Sequence, residues 1–118
     1  METKITTDEG ITKVKINGDI DSTTVGNVKK EVDLLAQTKG SKILMNMTEV
    51  SYMSSAGLRM LLSLYRNIQN HQGKLILVGL SEELQDTMTT TGFLNFFTTA
   101  ETLDEGMEKL LEETNEPK

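Results

Sequence analysis

The chain has no cysteine and no tryptophan, and it has only two tyrosines, three phenylalanines and one histidine among its 118 residues. Without cysteine there are no disulfides, no thiolate chemistry and no cysteine-ligated metals. A single histidine also excludes the usual zinc sites. With so few aromatic side chains, the sequence offers no stacking platform for single-stranded nucleic acid.

Positive charge is also scarce, because 12 Lys and Arg face 18 Asp and Glu, for a net charge of −6 and a pI near 4.8. This balance argues against binding to nucleic acid or to anionic membranes. No stretch approaches the roughly 18 apolar residues of a membrane span. The N-terminus lacks the apolar run of a signal peptide, so a cytoplasmic location is expected.

The remaining residues form a strand–helix pattern that fits one domain over residues 1–118. The pattern predicts an opening hairpin of strands at residues 3–7 and 11–17, further strands at 42–47 and 74–78, and a last strand or turn near Phe97. Between these strands it predicts one helix carrying Val25, Val28, Val32 and Leu35, and another that starts at Gly57 and carries Leu58, Leu61, Leu62, Tyr65 and Ile68. A short helix capped by Ser81 follows the strand at 74–78, and an acidic closing helix covers 101–113. Leu103, Met107, Leu110 and Leu111 are expected on the apolar face of that closing helix. We expect an α/β fold with a mixed sheet of four to five strands and about four helices, a core over about 5–112 and a flexible tail over 113–118.

Groups for enzyme chemistry are few. His71 stands near a helix C-terminus, where a surface residue interacting with the helix dipole is the simpler interpretation. Asp19 and Asp21 follow a strand, where carboxylates commonly supply a turn and a helix cap; Asp21 or Ser22 is expected to cap the first helix. No phosphate-binding glycine loop or dinucleotide motif is present. The sequence therefore predicts no enzyme activity, no cofactor and no metal.

Ser54 and Ser55 immediately precede the helix that starts near Gly57. One serine there can cap the helix by accepting a hydrogen bond from its first free N–H groups. A phosphate on a serine at the same place would meet those N–H groups and the positive end of the helix dipole. It would add about −1.5 to −2 charges without melting the helix, as a switch requires.

Two segments carry a resemblance to a known family. Val50-Ser-Tyr-Met-Ser-Ser-Ala-Gly-Leu58 resembles the Asp-Ser-Ser/Thr/Ala-Gly-Leu motif of the STAS domain of bacterial anti-sigma factor antagonists. Gly18-Asp19-Ile20-Asp21 resembles the family's Gly-Glu/Asp-Leu/Ile-Asp segment before the first helix. The element order and the gap between the segments also match, so the resemblance covers about residues 5–112.

The resemblance implies a STAS fold and a mechanism called partner switching. An unphosphorylated antagonist binds an anti-sigma factor that is also a GHKL-type serine kinase, and this frees the sigma factor for transcription. Phosphorylation releases the antagonist, and a PP2C-type phosphatase resets it. The family's phosphoserine falls on Ser55, with partner contacts at Asp19, Asp21, Ser54, Ser55, Ala56, Gly57 and Arg59. A monomer or weak dimer is expected, with no nucleic-acid or membrane partner.

The chain departs from the family pattern beside this serine. Ser54 replaces the family's aspartate, so it is either the helix cap or a competing phosphoacceptor. Arg59 stands where many relatives have glycine, and it either pairs with a phosphate on Ser55 or simply faces solvent. Two other functions stay open: a non-switching STAS scaffold in a signalling or transport assembly, and a small enzyme or nucleotide-binding protein using Asp19, Asp21 and Ser55.

Overall fold

The computed structural model describes residues 2–115, with side chains as far as Leu111. Within this range five strands and four α-helices follow one another, with one 3-10 helix, η1, before the last strand. The elements are β1 (Glu2–Asp8), β2 (Ile11–Asn17), α1 (Val25–Ala36), β3 (Lys42–Glu49), α2 (Ser55–Asn70), β4 (Lys74–Val78), α3 (Glu82–Thr90), η1 (Phe93–Phe96), β5 (Thr98–Ala100) and α4 (Leu103–Asn115). The predicted α/β fold with a mixed sheet is confirmed.

The five strands lie in the sheet in chain order, from β1 at one edge to β5 at the other. β1 and β2 are antiparallel, and every later pair is parallel. The hairpin turn is Glu9-Gly10, and both residues have positive φ angles, of 53° and 78°. Two-residue hairpin loops favour this left-handed backbone because it matches the twist of the strands. The turn lies within the predicted Asp8-Glu9-Gly10 segment.

Helices cover the two faces of the sheet unequally. Helices α1, α2 and α3 pack on the first face, over strand residues that include Val14, Met45 and Leu77. On the opposite face, α4 alone covers a smaller cluster with Leu44, Ile76 and Leu110. Because strand side chains alternate between faces, the first face holds odd-numbered β3 residues and the second holds even-numbered ones. We call the second face the α4 face.

Helix α2 starts earlier and packs on more sides than the sequence predicts. It begins at Ser55 rather than Gly57, since Ser54 supplies its cap. Leu58, Leu61 and Ile68 are buried as expected, whereas Leu62 and Tyr65 are only half-buried. Met60 and Leu64 are buried as well. The helix therefore contacts α1, η1 and the sheet with a wider apolar surface than one stripe.

Helix α4 runs from Leu103 to Asn115, two residues later at each end than the predicted 101–113. Thr102 Oγ1 accepts a hydrogen bond from the Glu105 N–H at 3.1 Å, which fixes the helix start. The expectation that Leu103 lies on the buried face is wrong, because this side chain is 39% exposed. Helix extends into the predicted tail as far as Asn115, and residues 116–118 of that tail lie outside the described range.

Candidate functional site

Two loops that are distant in sequence lie side by side at the carboxyl ends of β2 and β3. Ile20 and Met53 form an isolated parallel bridge between them. The Ile20 N–H donates to the carbonyl of Tyr52 at 3.0 Å, and the Ser54 N–H donates to the carbonyl of Ile20 at 2.8 Å. Both Ile20 and Met53 are buried. Backbone hydrogen bonds at this bridge therefore hold the two sequence motifs side by side.

The two serines of the second loop have different environments. Ser54 has an extended backbone, and its Oγ accepts a hydrogen bond from the Gly57 N–H at 3.3 Å, as an N-cap residue does. Ser55 is the first residue of α2 and is exposed, and its Oγ makes no hydrogen bond to any residue between 2 and 115. Ser54 thus serves as the cap, while the hydroxyl of Ser55 is free to react.

Gly57 is required by the close approach of α2 to the bridged loops. A Cβ at this position would lie 2.5 Å from Met53 Cγ, 3.0 Å from Ile20 Cγ2 and 3.1 Å from the Ile20 carbonyl oxygen. These distances are below ordinary van der Waals contact. The first turn of the helix therefore rests directly on the Ile20–Met53 bridge, and this contact sets the position of the preceding serines.

Asp21 organises the loop before α1. Its Oδ1 accepts from the N–H groups of Thr23 and Thr24, at 2.9 and 3.1 Å, and from the Thr23 hydroxyl at 2.7 Å. The hydrogen bonds from Thr23 and Thr24 lower the pKa of the Asp21 carboxyl, more than desolvation raises it. Asp21 therefore caps the turn that leads into the helix. The expected direct cap by Asp21 or Ser22 is corrected, because α1 starts only at Val25, after Thr24.

Two exposed charged residues, Asp19 and Arg59, lie on the elements that form the site. Asp19 is exposed and accepts a hydrogen bond from Ser51 Oγ at 3.3 Å, a contact that also ties the two loops together. Arg59 is exposed one helical turn beyond Ser55 and has no ion pair with a described residue. The i, i+4 spacing places the side chains of Ser55 and Arg59 on the same side of α2.

A shallow groove of about 330 Å³ opens beside Ser55, between the second loop and α3. Its walls include the apolar side chains of Tyr52, Leu58 and Leu84. Tyr52 is 55% exposed, an unusual position for a large aromatic side chain. The sequence-based prediction missed this groove. Only Tyr52, a large aromatic residue in the loop between β3 and α2, indicated it.

Residues that could serve other chemistry lie apart from this site. His71 is half-buried at the C-terminal end of α2, where its Nδ1 lies 2.8 Å from the carbonyl oxygen of Asn67. With 16 residues in α2, at about 1.5 Å per residue, roughly 24 Å of helix separates His71 from Ser55. Among residues 2–115 no cluster of three or more His, Asp or Glu side chains could hold a metal ion, and no helix is long and apolar enough to cross a membrane.

Comparisons with known proteins agree with this geometry. The STAS domain model matches residues 2–106. The anti-sigma-B factor antagonist of Listeria monocytogenes is 32% identical over 77 residues, which are 65% of this chain and 68% of that protein. An anti-sigma factor antagonist from Mycobacterium paratuberculosis superposes with a TM-score of 0.82 at 20% identity, covering 93% of each chain.

A further structural relative has been solved with its phosphate attached. It is the Bacillus cell fate determinant SpoIIAA in the phosphorylated form, with a TM-score of 0.68 and 18% identity over 92% of this chain and 98% of that one. At such identities the superpositions establish the fold, while the family model covers nearly the whole chain. The chain therefore belongs to the STAS domain family, together with the anti-sigma factor antagonists.

Proposed function

We propose that this protein is an anti-sigma factor antagonist that works by partner switching at Ser55. Unphosphorylated, it binds an anti-sigma factor that is also a GHKL-type serine kinase, so that the sigma factor is released for transcription. Phosphorylation of Ser55 ends the binding, and a PP2C-type phosphatase restores it. The observation that carries the proposal is the free, exposed hydroxyl of Ser55 at the start of α2, beside a separate serine that already caps the helix.

The position of Ser55 suits a modification that leaves the fold intact. The first N–H groups of a helix have no acceptor within the helix. Ser54 takes the Gly57 N–H, which leaves those of Ser55 and Ala56 for a phosphate. The phosphate would also lie at the positive end of the helix dipole. Phosphorylation therefore changes the charge of the surface by about −1.5 to −2 without unfolding the first turn.

The surroundings of Ser55 suit a protein partner. The groove between Tyr52, Leu58 and Leu84 offers an apolar recess for a side chain of the kinase. The exposed Asp19 offers a carboxylate that is hydrogen-bonded to Ser51, one of the residues lining the groove. Asp21 and Gly57 support the site without contacting the partner. Asp21 holds the loop before α1, and Gly57 allows α2 to lie close to Ile20 of that loop. A phosphate would bring about −1.5 to −2 charges into an interface that fits a neutral hydroxyl, and this drives release of the kinase.

Phosphate mapping tests the modification. The protein is incubated with the GHKL-type serine kinase of its own organism and ATP, and the phosphorylated residue is identified by mass spectrometry. We expect phosphate on Ser55 in the natural chain and in Ser54→Ala, and none in Ser55→Ala. Phosphate on Ser54 alone, or none on a chain incubated with an active kinase, contradicts the proposal.

Binding of charge variants tests the switch. Ser55→Asp should weaken kinase binding at least about tenfold, about 1.4 kcal/mol, because charge enters an interface built for a hydroxyl. Ser63→Asp is the matched control, since Ser63 is exposed on the same helix two turns further along. Equal binding by Ser55→Ala, Ser55→Asp and Ser63→Asp would instead support the non-switching scaffold.

A further inference from the structure

The uncovered half of the α4 face carries a cluster of positive charge. Lys4, Lys13 and Lys15 all project from this face, which α4 leaves open over β1 and β2. Lys4 and Lys15 are exposed and have no ion pair with any described residue, whereas Lys13 lies 3.4 Å from Asp8. We call these three side chains the lysine cluster. It is unusual on a chain whose net charge is −6.

The strand register concentrates these charges. Lys4 pairs directly with Lys15, and Lys13 stands one diagonal step away, opposite Thr6. Opposed side chains in an antiparallel pair have Cβ atoms about 5 Å apart, and diagonal neighbours about 7–8 Å. The Cβ atoms of all three lysines therefore lie within about 8 Å of their neighbours, which is a Debye length at physiological salt, and the directly opposed like charges of Lys4 and Lys15 destabilise the hairpin.

Protection of the sheet edge explains only part of this cluster. Lysines on edge strands discourage pairing with other chains, and Lys4 on β1 fits that role. Lys13 and Lys15 lie on β2, which is an interior strand between β1 and β3. Asp8 neutralises Lys13 alone. Glu2 stands on the same face beside Lys4, but neither Lys4 nor Lys15 forms an ion pair with it or with any other described residue.

The lysine cluster forms the floor of a groove of about 220 Å³ at the flank of α4. Thr6 and Asn46 add hydrogen-bonding groups to it, and the exposed Leu103 adds an apolar wall. We propose that this groove binds an acidic polypeptide segment of another protein, whose carboxylates pair with the lysine cluster and one of whose apolar side chains packs on Leu103.

This second surface lies on the opposite side of the sheet from α2 and Ser55, because α1, α2 and α3 cover the other face. A segment bound there leaves the site at Ser55 accessible, so the proposal does not depend on phosphorylation. A short peptide fits better than a nucleic acid or a membrane, since three lysines offer a small footprint and the net charge of −6 repels extended polyanions.

Fluorescence anisotropy tests the proposal with a labelled peptide in which glutamate alternates with threonine around one leucine. Binding should weaken between about 0.05 and 0.3 M salt, and the glutamine version of the peptide should not bind. The double variant Lys4→Gln/Lys15→Gln should bind about three- to tenfold more weakly. Lys30→Gln/Lys39→Gln is the matched control, because both residues are exposed and lie on or just after α1.

Amide shifts in NMR spectra locate the contact. Shifts confined to β1, β2 and the start of α4, with the natural affinity kept by the control variant, support the proposal. No binding of the acidic peptide, or equal weakening by both double variants, overturns it. Stronger lysine-dependent binding of vesicles rich in phosphatidylglycerol also overturns it, because the groove would then recognise a membrane surface.

Discussion

Substitution of Gly57 by alanine tests how the site is built. The added Cβ would lie 2.5 Å from Met53 Cγ and 3.0 Å from Ile20 Cγ2. The carbonyl oxygen of Ile20 already accepts a hydrogen bond from the Ser54 N–H. The methionine side chain can shift, but the Ile20 backbone is fixed by the bridge to the second loop. Overpacking of this kind costs about 1–3 kcal/mol, and the better helix propensity of alanine offsets up to about 1 kcal/mol.

We therefore expect Gly57→Ala to lower the free energy of unfolding by about 1–2 kcal/mol, with a fall in Tm of roughly 4–8 °C. Urea denaturation followed by circular dichroism measures the free energy, and a thermal melt followed by the same signal measures Tm. Gly26→Ala is the matched control, because Gly26 is also near a helix start but has open space around its Cβ position. That control should be stabilised by up to about 1 kcal/mol. A Gly57→Ala protein as stable as the natural chain would refute the close packing of α2 on the bridge.

Three further predictions concern the residues around Ser55. Ser54→Ala should lower the free energy of unfolding by about 1 kcal/mol in urea melts, since the cap to the Gly57 N–H is lost, while Ser55 still accepts phosphate. Because the pKa of the Asp21 carboxyl is lowered in the folded protein, the carboxylate stabilises the fold fully above the ordinary pKa of 3.8, and this stabilisation is lost as the pH falls through the lowered pKa. The difference in free energy of unfolding between the natural chain and Asp21→Asn should therefore be smaller in acid than at pH 7. Arg59→Gln should raise the phosphate pKa of phosphorylated Ser55 in 31P NMR titrations, because the guanidinium no longer favours the dianion; an unchanged titration would show that Arg59 only faces solvent.

Most of the fold follows from local patterns. Alternating residues in β2, the aliphatic run of β4 and the Ser81 cap of α3 each predict an element close to its observed bounds. The start of α4 was less predictable, because Thr102 and Leu103 could both belong to the first turn. Leu103 is exposed since α4 leaves the β1–β2 half of the sheet uncovered, and only the packed sheet reveals this.

The sequence predicts that both serines stand at the start of α2, and the structure has them there with different roles. The motif alone cannot say which serine caps α2, because either hydroxyl can reach a free N–H. The backbone angles and the contact to Gly57 decide it. Likewise, Lys13 and Lys15 alternate with apolar residues and so share a face, but the approach of Lys4 depends on the hairpin register. The lysine register arises from strand pairing, and the backbone of Ser54 is held by its hydrogen bond to Ile20, so neither feature can be read from local sequence.

Release of the kinase on addition of ATP is the sharpest test of a phosphorylation switch at Ser55. The complex of this protein with the GHKL-type anti-sigma kinase that we propose as its partner is formed on a biosensor surface, and dissociation is followed before and after ATP. The natural chain should dissociate as Ser55 becomes phosphorylated, while Ser55→Ala should bind equally well and stay bound. Equal release of the natural chain and Ser55→Ala would contradict a switch at Ser55. So would a complex of the natural chain that stays intact after ATP has led to phosphorylation of Ser55.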